Sequence, residues 1–363
     1  MAIDPHPALS HNGLMPQNRD FSTPLQESIR AANAERRALA IHGGGSKRVL
    51  TGDIPGDPLD VTRHCGVVSY EPTELVITAR AGTPLAEIES TLAASNQMLG
   101  FEPPHFGGQA TLGGTLACGL SGPRRPYAGS ARDFTLGATI INGQGELLRF
   151  GGQVMKNVAG YDVSRLMVGA RGTLGVLLDL SLKVLPRPET EITLAFEMAA
   201  SDAITSMNRW AAQPLPLSAA CHQGETLHLR LSGSAAGVRA ARAKLGGEPI
   251  TEGESFWEKI REHRHGFFLD TAPLWRMSVP PATDMLAIGG KTLLDWGGAQ
   301  RWVKSSAPAV EITQAASAAG GYALPYHAQG RCDVGRESGM VENISAELRK
   351  SFDPHRILNA ALA

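Results

Sequence analysis

The sequence predicts an α+β protein built in two parts, and three observations predict it. Its 363 residues exceed what one hydrophobic core usually holds. Strand and helix periodicities are mixed in both halves of the chain, which excludes an all-α or an all-β protein. Three glycine-rich segments, each beside a strand signal, fall in the first half, whereas the second half carries ordinary strand and helix patterns with an antiparallel tendency.

Residues 1–20 mix Pro, His, Asn and Gly without periodicity and read as a flexible arm. In "STPLQESIRAANAERRALAI", Thr23 suits an N-cap, Pro24 the first helical position and Gln26 a capping box, with Leu25 and Ile29 on one face. That helix delivers the chain to a strand ending at Ile41. "ELVITA" predicts another strand, and "GTPLAEIESTLAASNQ" a helix opening at Thr83-Pro84 with Leu85, Ile88 and Leu92 along one face. From residue 101 to 134, glycine and small residues fill a stretch longer than an ordinary connection, which marks a functional loop. "TLGATIINGQGELLRF" predicts a hairpin turning near Asn142-Gly143. "TLGVLLDLSLKV" predicts a strand with Leu174, Val176, Leu178, Leu180, Leu182 and Val184 on one face, and "PRPE" marks a boundary. Beyond it, "ITLAFEM", "TLHLRLSG", "LWRMSVP" and "YALPYH" predict strands, and "DAITSMNRWAA" and "AAGVRAARAKLGG" helices, the second with a glycine stop. "VENISAELRKSFDPHRILNAALA" closes the chain with a helix and a short tail. No internal repeat stands out.

A formal net charge of -1, with no basic stretch interleaved with aromatics, argues against a nucleic-acid partner. No apolar run approaches the roughly 20 residues of a membrane helix, and "MAIDPHPALSHNG" lacks an export signal, so a cytoplasmic protein is expected. Cys65, Cys118, Cys221 and Cys332 lie far apart with no CxxC pair, which predicts free thiols and no iron–sulfur cluster held by this chain.

The chemistry centres on the glycine segments. Gly43, Gly44, Gly45 and Ser46 follow the first strand, where successive N–H groups either converge on an anion or simply turn the chain. Neither the Rossmann nor the Walker spacing is present. Gly107, Gly108, Gly113, Gly114, Gly119 and Gly122, among Thr111, Thr115 and Ser121, form a second backbone surface for a flat ligand or a pyrophosphate, or else a loop packed on itself. "KNVAGYDVSRLMVGARGTLG" supplies the third, with Gly160, Gly169, Gly172 and Gly175, and three such segments point to one extended ligand. "AIGGKTLL" is no nucleotide loop, because the first Walker glycine would fall on Met285, and the "NIS" sequon at Asn343 sits on a helix pattern.

Taken in this order and spacing, over roughly residues 25 to 190, the three segments resemble the flavoproteins of the vanillyl-alcohol oxidase and p-cresol methylhydroxylase family. The third resembles a signature of FAD-linked glycolate and D-lactate dehydrogenases. "FWEKIREHRHGFF", "LWRMSVP" and "DWGGAQRW" are similar to the FAD-binding subunits of glycolate oxidase (glycolate dehydrogenase) complexes. The resemblance implies a two-subdomain FAD-binding domain of the p-cresol methylhydroxylase type over residues 21–187, and a smaller α+β, ferredoxin-like cap over 188–340. Residues 341–363 would be a helix and tail returning to the FAD domain.

It also implies roles by position. Gly43, Gly44, Gly45 and Ser46 would donate N–H groups to the FAD pyrophosphate. Pro104, Thr111, Gly113, Gly114, Gly119 and Ser121 would line the isoalloxazine and ribityl chain, and Gly172, Gly175 and Val176 would close around the adenosine half. Relatives with covalent flavin carry a histidine in or just beyond the pyrophosphate loop. Here His42 precedes the glycines and Ser46-Lys47 follow them, so non-covalent FAD is expected. Arg171 replaces the usual acidic residue before "GTLG", and the ending "FDPHRILNAALA" departs from the family's, which leaves a flavin contact by Asn359 open.

Relatives that oxidise 2-hydroxy acids carry a His-rich metal or base motif in the second domain. Here only His263 and His265 offer themselves, as candidate bases or as solvated helix-end histidines, and no metal site is expected. Arg276 either anchors a substrate carboxylate or joins an ion pair, and Trp257 and Trp275 read as core. The implied function is the FAD-binding subunit of a complex that oxidises glycolate to glyoxylate. Its electrons would pass via flavin to a second, catalytic flavoprotein subunit and an iron–sulfur subunit, and only those partners would bring it to the inner membrane. The alternatives are a self-sufficient FAD-dependent 2-hydroxy acid (D-lactate-like) dehydrogenase and a non-catalytic assembly subunit.

Overall fold

The structure, a computed structural model, describes residues 18–152, 161–326 and 340–362. Most of the expected N-terminal arm, Gly160 with the start of the third glycine segment, and Cys332 lie outside the described residues.

The first helix, Ser22–Glu35, buries Leu25, Ile29 and Ala32 along one side. It starts ahead of the expected Thr23 cap because Asp20 Oδ1 accepts from the Ser22 N–H at 2.9 Å and from its hydroxyl at 2.7 Å. Gln26 makes no capping box; its amide donates to the Gly145 carbonyl at 2.8 Å, a partner more than a hundred residues away. The helix leads into strand Leu39–His42, which pairs in parallel with Asp57–Asp60.

A five-stranded sheet forms the centre of the first part, ordered Val67–Glu71, Val76–Arg80, Val176–Lys183, Thr135–Ile141, Leu147–Gly151. All its pairings are antiparallel. Val176–Lys183 is buried on both faces: helices Leu85–Ala93 and Leu112–Cys118 pack on one side, and the first helix with the C-terminal tail packs on the other. The hairpin turns through Asn142, whose side-chain oxygen accepts from Gln144 N at 3.0 Å and Glu146 N at 2.9 Å. The 101–134 stretch is more ordered than a loop. It holds helices Leu112–Cys118, Arg125–Ala128 and Ala131–Phe134, because Thr111 and Ser130 cap short helices that propensity alone would not form.

The second part is an antiparallel eight-stranded sheet. Strands Thr190–Glu197, Leu217–Gln223, Thr226–Gly233 and Glu248–Ile250, with helices Ala200–Ala211 and Ala235–Leu245 between them, follow the ferredoxin-like order, the fourth strand beside the first and the third beside the second. Strands Leu274–Ser278, Lys291–Asp295, Gln300–Lys304 and Tyr322–Tyr326 repeat that order, with one helix, Ala309–Ala318. The two halves join through the pairing of Leu217–Gln223 with Lys291–Asp295. An irregular stretch, residues 279–290, stands where the second half's first helix would be, so no sequence repeat is visible.

Apolar side chains fill both faces of this sheet. Helix Met340–Phe352 follows, and the tail returns to the first strand: Leu39 N donates to Ile357 O at 2.7 Å and Asn359 N to Leu39 O at 3.0 Å. No described helix is long and apolar enough to cross a membrane.

Candidate functional site

A cavity opens where strand Leu39–His42, the glycine loop behind it and the first turn of helix Leu112–Cys118 meet. Gly43, Gly44, Gly45, Ser46, Thr111, Gly113, Gly114, Gly172 and Gly175 all line it. The glycines are needed first for close approach of chain to chain. A Cβ on Gly44 would stand 1.4 Å from the Gln109 carbonyl oxygen, on Gly113 2.6 Å from Ala81 Cβ, and on Gly43 2.8 Å from Thr111 Oγ1. Gly45 and Gly172 also adopt left-handed φ of 70° and 78°. The loop and the second glycine segment therefore interlock, and both present backbone to the space between them. Among the described residues, the N–H groups of Gly43 to Ser46 find no acceptor.

Lys47 adds a charge that the sequence reading left without a role. It lines the same cavity, is only 6% exposed, and its ammonium reaches Ser46 Oγ at 3.4 Å. No carboxylate among the described residues forms an ion pair with it. Burial lowers its pKa. A buried ammonium beside uncommitted backbone donors suits an anionic ligand such as a diphosphate. Cys118 lines the wall as a neutral thiol, burial having pushed its pKa up to about 11.

Asn359 clamps the rim: its side-chain oxygen accepts from Ile41 N at 2.8 Å and its amide donates to Arg171 O at 2.7 Å. The C-terminal tail thereby ties the first strand to the third glycine segment.

A second, smaller cavity lies between the 104–123 segment and the eight-stranded sheet. Cross-strand register assembles its polar wall. Gln300 stands opposite Asp295, and Trp302 opposite Arg276, so that with two-residue alternation all four side chains share one face. Arg276 Nε donates to Gln300 Oε1 at 2.9 Å, Gln300 Nε2 donates to Asp295 Oδ2 at 3.3 Å, and the Trp296 N–H donates to Asp295 Oδ1 at 2.8 Å. No carboxylate among the described residues pairs with Arg276. Burial pushes the Asp295 pKa up to about 7, against the lowering effect of its two hydrogen bonds.

His263 lines this cavity too, but it is not a solvated helix-end residue. It stacks on Phe268 at 4.5 Å, meets Trp302 at 4.7 Å and shares a hydrogen bond of 3.2 Å with the Tyr326 hydroxyl. Burial, with Arg276 nearby, brings its pKa down to about 3. It is a neutral, weakly basic ring. His265 stands apart from both cavities, its Nδ1 accepting from Phe267 N at 3.3 Å.

A third space is bordered by Cys118 and Arg171, which also line the first cavity, and by Leu120 and Arg276, which also line the second. Pro104 and Ser121 border the smaller cavity. Gly119, in a left-handed conformation, packs against Gly169, where a Cβ would meet its Cα at 3.1 Å. Val176 lies in the hydrophobic core and not on a cavity wall. Asp295 and Gln300 were missed; their signal was the "WGG" turn inside "DWGGAQRW", a hairpin that sets the two side by side.

Residues 23–151 match the FAD binding domain family. The chain is 46% identical to glycolate oxidase subunit GlcE of Escherichia coli K12 over 340 residues, covering 94% of this chain and 96% of that protein. It is 30% identical to glycolate oxidase subunit GlcD of Bacillus subtilis and 31% identical to a D-lactate dehydrogenase of Anaerostipes hadrus, spanning 35% and 29% of their lengths. Alkyldihydroxyacetonephosphate synthase shares the fold with a TM-score of 0.66 at 14% identity, over 94% of this chain and 75% of that one. With its backbone donors and buried ammonium, the large cavity fits FAD, the cofactor that the family match assigns. The chain belongs to the GlcE family of FAD-binding glycolate oxidase subunits.

Proposed function

We propose that the chain is the FAD-binding subunit of an assembly that oxidises glycolate to glyoxylate, working beside a second, catalytic flavoprotein subunit and passing electrons via flavin to partner subunits that include an iron–sulfur subunit. The observation that carries this reading is the large cavity, in which interlocked glycine segments present free N–H groups beside buried Lys47. Bound there without a covalent link, FAD would supply a two-electron acceptor. Gly43 to Ser46 and Lys47 would hold its diphosphate, and Asn359 would keep the rim closed.

A second reading, in which this chain itself oxidises a 2-hydroxy acid, is favoured by one observation: Arg276, His263 and Asp295 converge on the smaller cavity. Arg276 would fix the substrate carboxylate. His263, with its low pKa, would be a poor base. Stopped-flow flavin reduction by glycolate separates the two. The subunit reading expects the isolated chain to bleach far more slowly than the assembled complex; bleaching at the complex's turnover rate would overturn it.

A further inference from the structure

The smaller cavity holds a guanidinium and a carboxylate that are linked but not neutralised. Arg276 and Asp295 do not touch as an ion pair; Gln300 stands between them, accepting from one and donating to the other. That arrangement holds Arg276 in place through Nε and leaves its two terminal nitrogens without a hydrogen-bond partner among the described residues. It also holds both oxygens of Asp295, which is 3% exposed, in a fixed orientation at the cavity wall.

A ligand suited to this wall is small, carries a carboxylate for the guanidinium fork, and offers a hydroxyl one carbon away. We propose that the cavity is a site for a small 2-hydroxy monocarboxylate in which Arg276 takes the carboxylate and Asp295 takes the proton of the 2-hydroxyl group. The proposal rests on the second reading above, in which this chain itself oxidises a 2-hydroxy acid, and adds the base which that reading lacked. When such a ligand is oxidised, the C–H electron pair leaves as hydride to an oxidised flavin and the O–H bond gives its proton to the Asp295 carboxylate. A C=O double bond remains.

The charged and titratable groups facing Asp295 come from every element around it. Glu102, from the 101–134 stretch, discourages its ionisation, and Arg230 of strand Thr226–Gly233 favours it. Tyr127 and Cys221 stand close enough for their own ionisation to be opposed by Asp295. Arg261, Arg276 and His263 line the same cavity. Buried among these, the carboxyl titrates at about 7, which matches the working range of a proton acceptor. Of the two histidines the sequence offered, His265 lines neither cavity and His263 is the poorer acceptor.

Acetate, which has the carboxylate but nothing to oxidise, probes the site without turnover. In calorimetric titrations of the FAD-loaded full chain, acetate should bind roughly tenfold more weakly at pH 8 than at pH 6, because ionised Asp295 repels it. Asp295→Asn, which keeps an acceptor for the Trp296 N–H, should bind acetate equally at both pH values, and Arg276→Ala at neither. Absence of acetate binding to the native chain at pH 6, a pH-independent native affinity, or the same weakening in Asp295→Asn would overturn the proposal. The native titration alone decides the matter if the variant fails to fold. Flavin reduction by glycolate should be about 10²–10⁴-fold slower in Asp295→Asn. If the native chain binds acetate in this pH-linked way but glycolate leaves its flavin oxidised, the oxidation reading fails and the carboxylate site stands.

Discussion

Arg230 Nη2 lies 2.8 and 2.9 Å from the two carboxylate oxygens of Glu102, across a sequence separation of 128 residues. Arg124 reaches the same carboxylate through its side chain and its backbone N–H, both at 3.0 Å, and Arg124 Nη2 continues to Glu191 at 2.8 Å. Trp296 Nε1 donates to Gly122 O at 3.0 Å beside them. These bonds fasten the 101–134 stretch to the eight-stranded sheet and so fix the two walls of the smaller cavity.

Removing the shared carboxylate should be costly. Glu102→Ala leaves the buried Arg124 and Arg230 sharing only the half-exposed Glu191, and the loss expected for such a break is up to roughly 3–5 kcal/mol, measured by urea unfolding followed through tryptophan fluorescence. Burial opposes ionisation of Glu102, but the two arginines outweigh it and hold the pKa below the usual value. Because the folded pKa is depressed, this stabilisation is present above the unfolded carboxylate value of about 4.3 and is lost as pH falls through the folded one. The variant should therefore show a flatter acid limb than the native chain.

Gly44→Asp should yield protein without flavin. The structure gives the reason a backbone character: any Cβ here would overlap the Gln109 carbonyl oxygen, forcing the first loop away from the second glycine segment before charge repulsion with a diphosphate counts. Gly44→Ala should consequently lose most of its flavin as well. The ratio of visible to ultraviolet absorbance of purified protein measures this, and stoichiometric FAD in either variant would remove the loop from the cofactor site.

Acid precipitation should release all flavin into the supernatant. His42 and Cys118 both border the large cavity, so a covalent bond there is a concrete competitor. Cys118, however, is held as a neutral thiol, which is a poor nucleophile. Yellow colour retained in a washed pellet would show that one of these side chains is linked.

Acid should destabilise the chain partly through His263. Its folded pKa of about 3 lies below the unfolded value of about 6.5, so the unfolded state binds the extra proton between these limits. Stability from the neutral ring is complete above the unfolded value and falls as pH drops through it, by up to about 1.4 kcal/mol per pH unit. His263→Gln should be less stable at pH 7 yet lose less between pH 6.5 and 4. Some slope will persist, since burial also brings His228 down to about 4. Equal slopes in the two proteins would mean that His263 is accessible to protons in the folded state.

By itself the sequence determined the local order and the chemical theme. Apolar spacing placed the helix carrying Leu85, Ile88 and Leu92, because periodicity records which side of an element meets the core; it also marked the central strand but not its faces, since burial on both sides sends Val176 and Leu178 to one core and Leu180, Leu182 and Val184 to the other. Glycine clustering marked the segments that form the large cavity, since backbones that approach as closely as Gly44 and Gln109 exclude every side chain. What it left undecided depended on partners far along the chain. Gln26 left its expected cap for Gly145, and Glu102 found Arg230. The second ferredoxin-like half stayed hidden because sheet order is set by pairing between distant strands. His263 passed as a solvated histidine until Phe268, Trp302 and Tyr326 enclosed it. Asp295 had no evident role until folding buried it beside Gln300 and Arg276, because the charge state of a carboxyl depends on the water it has lost and the groups brought around it, neither of which is written in its own neighbourhood of the sequence.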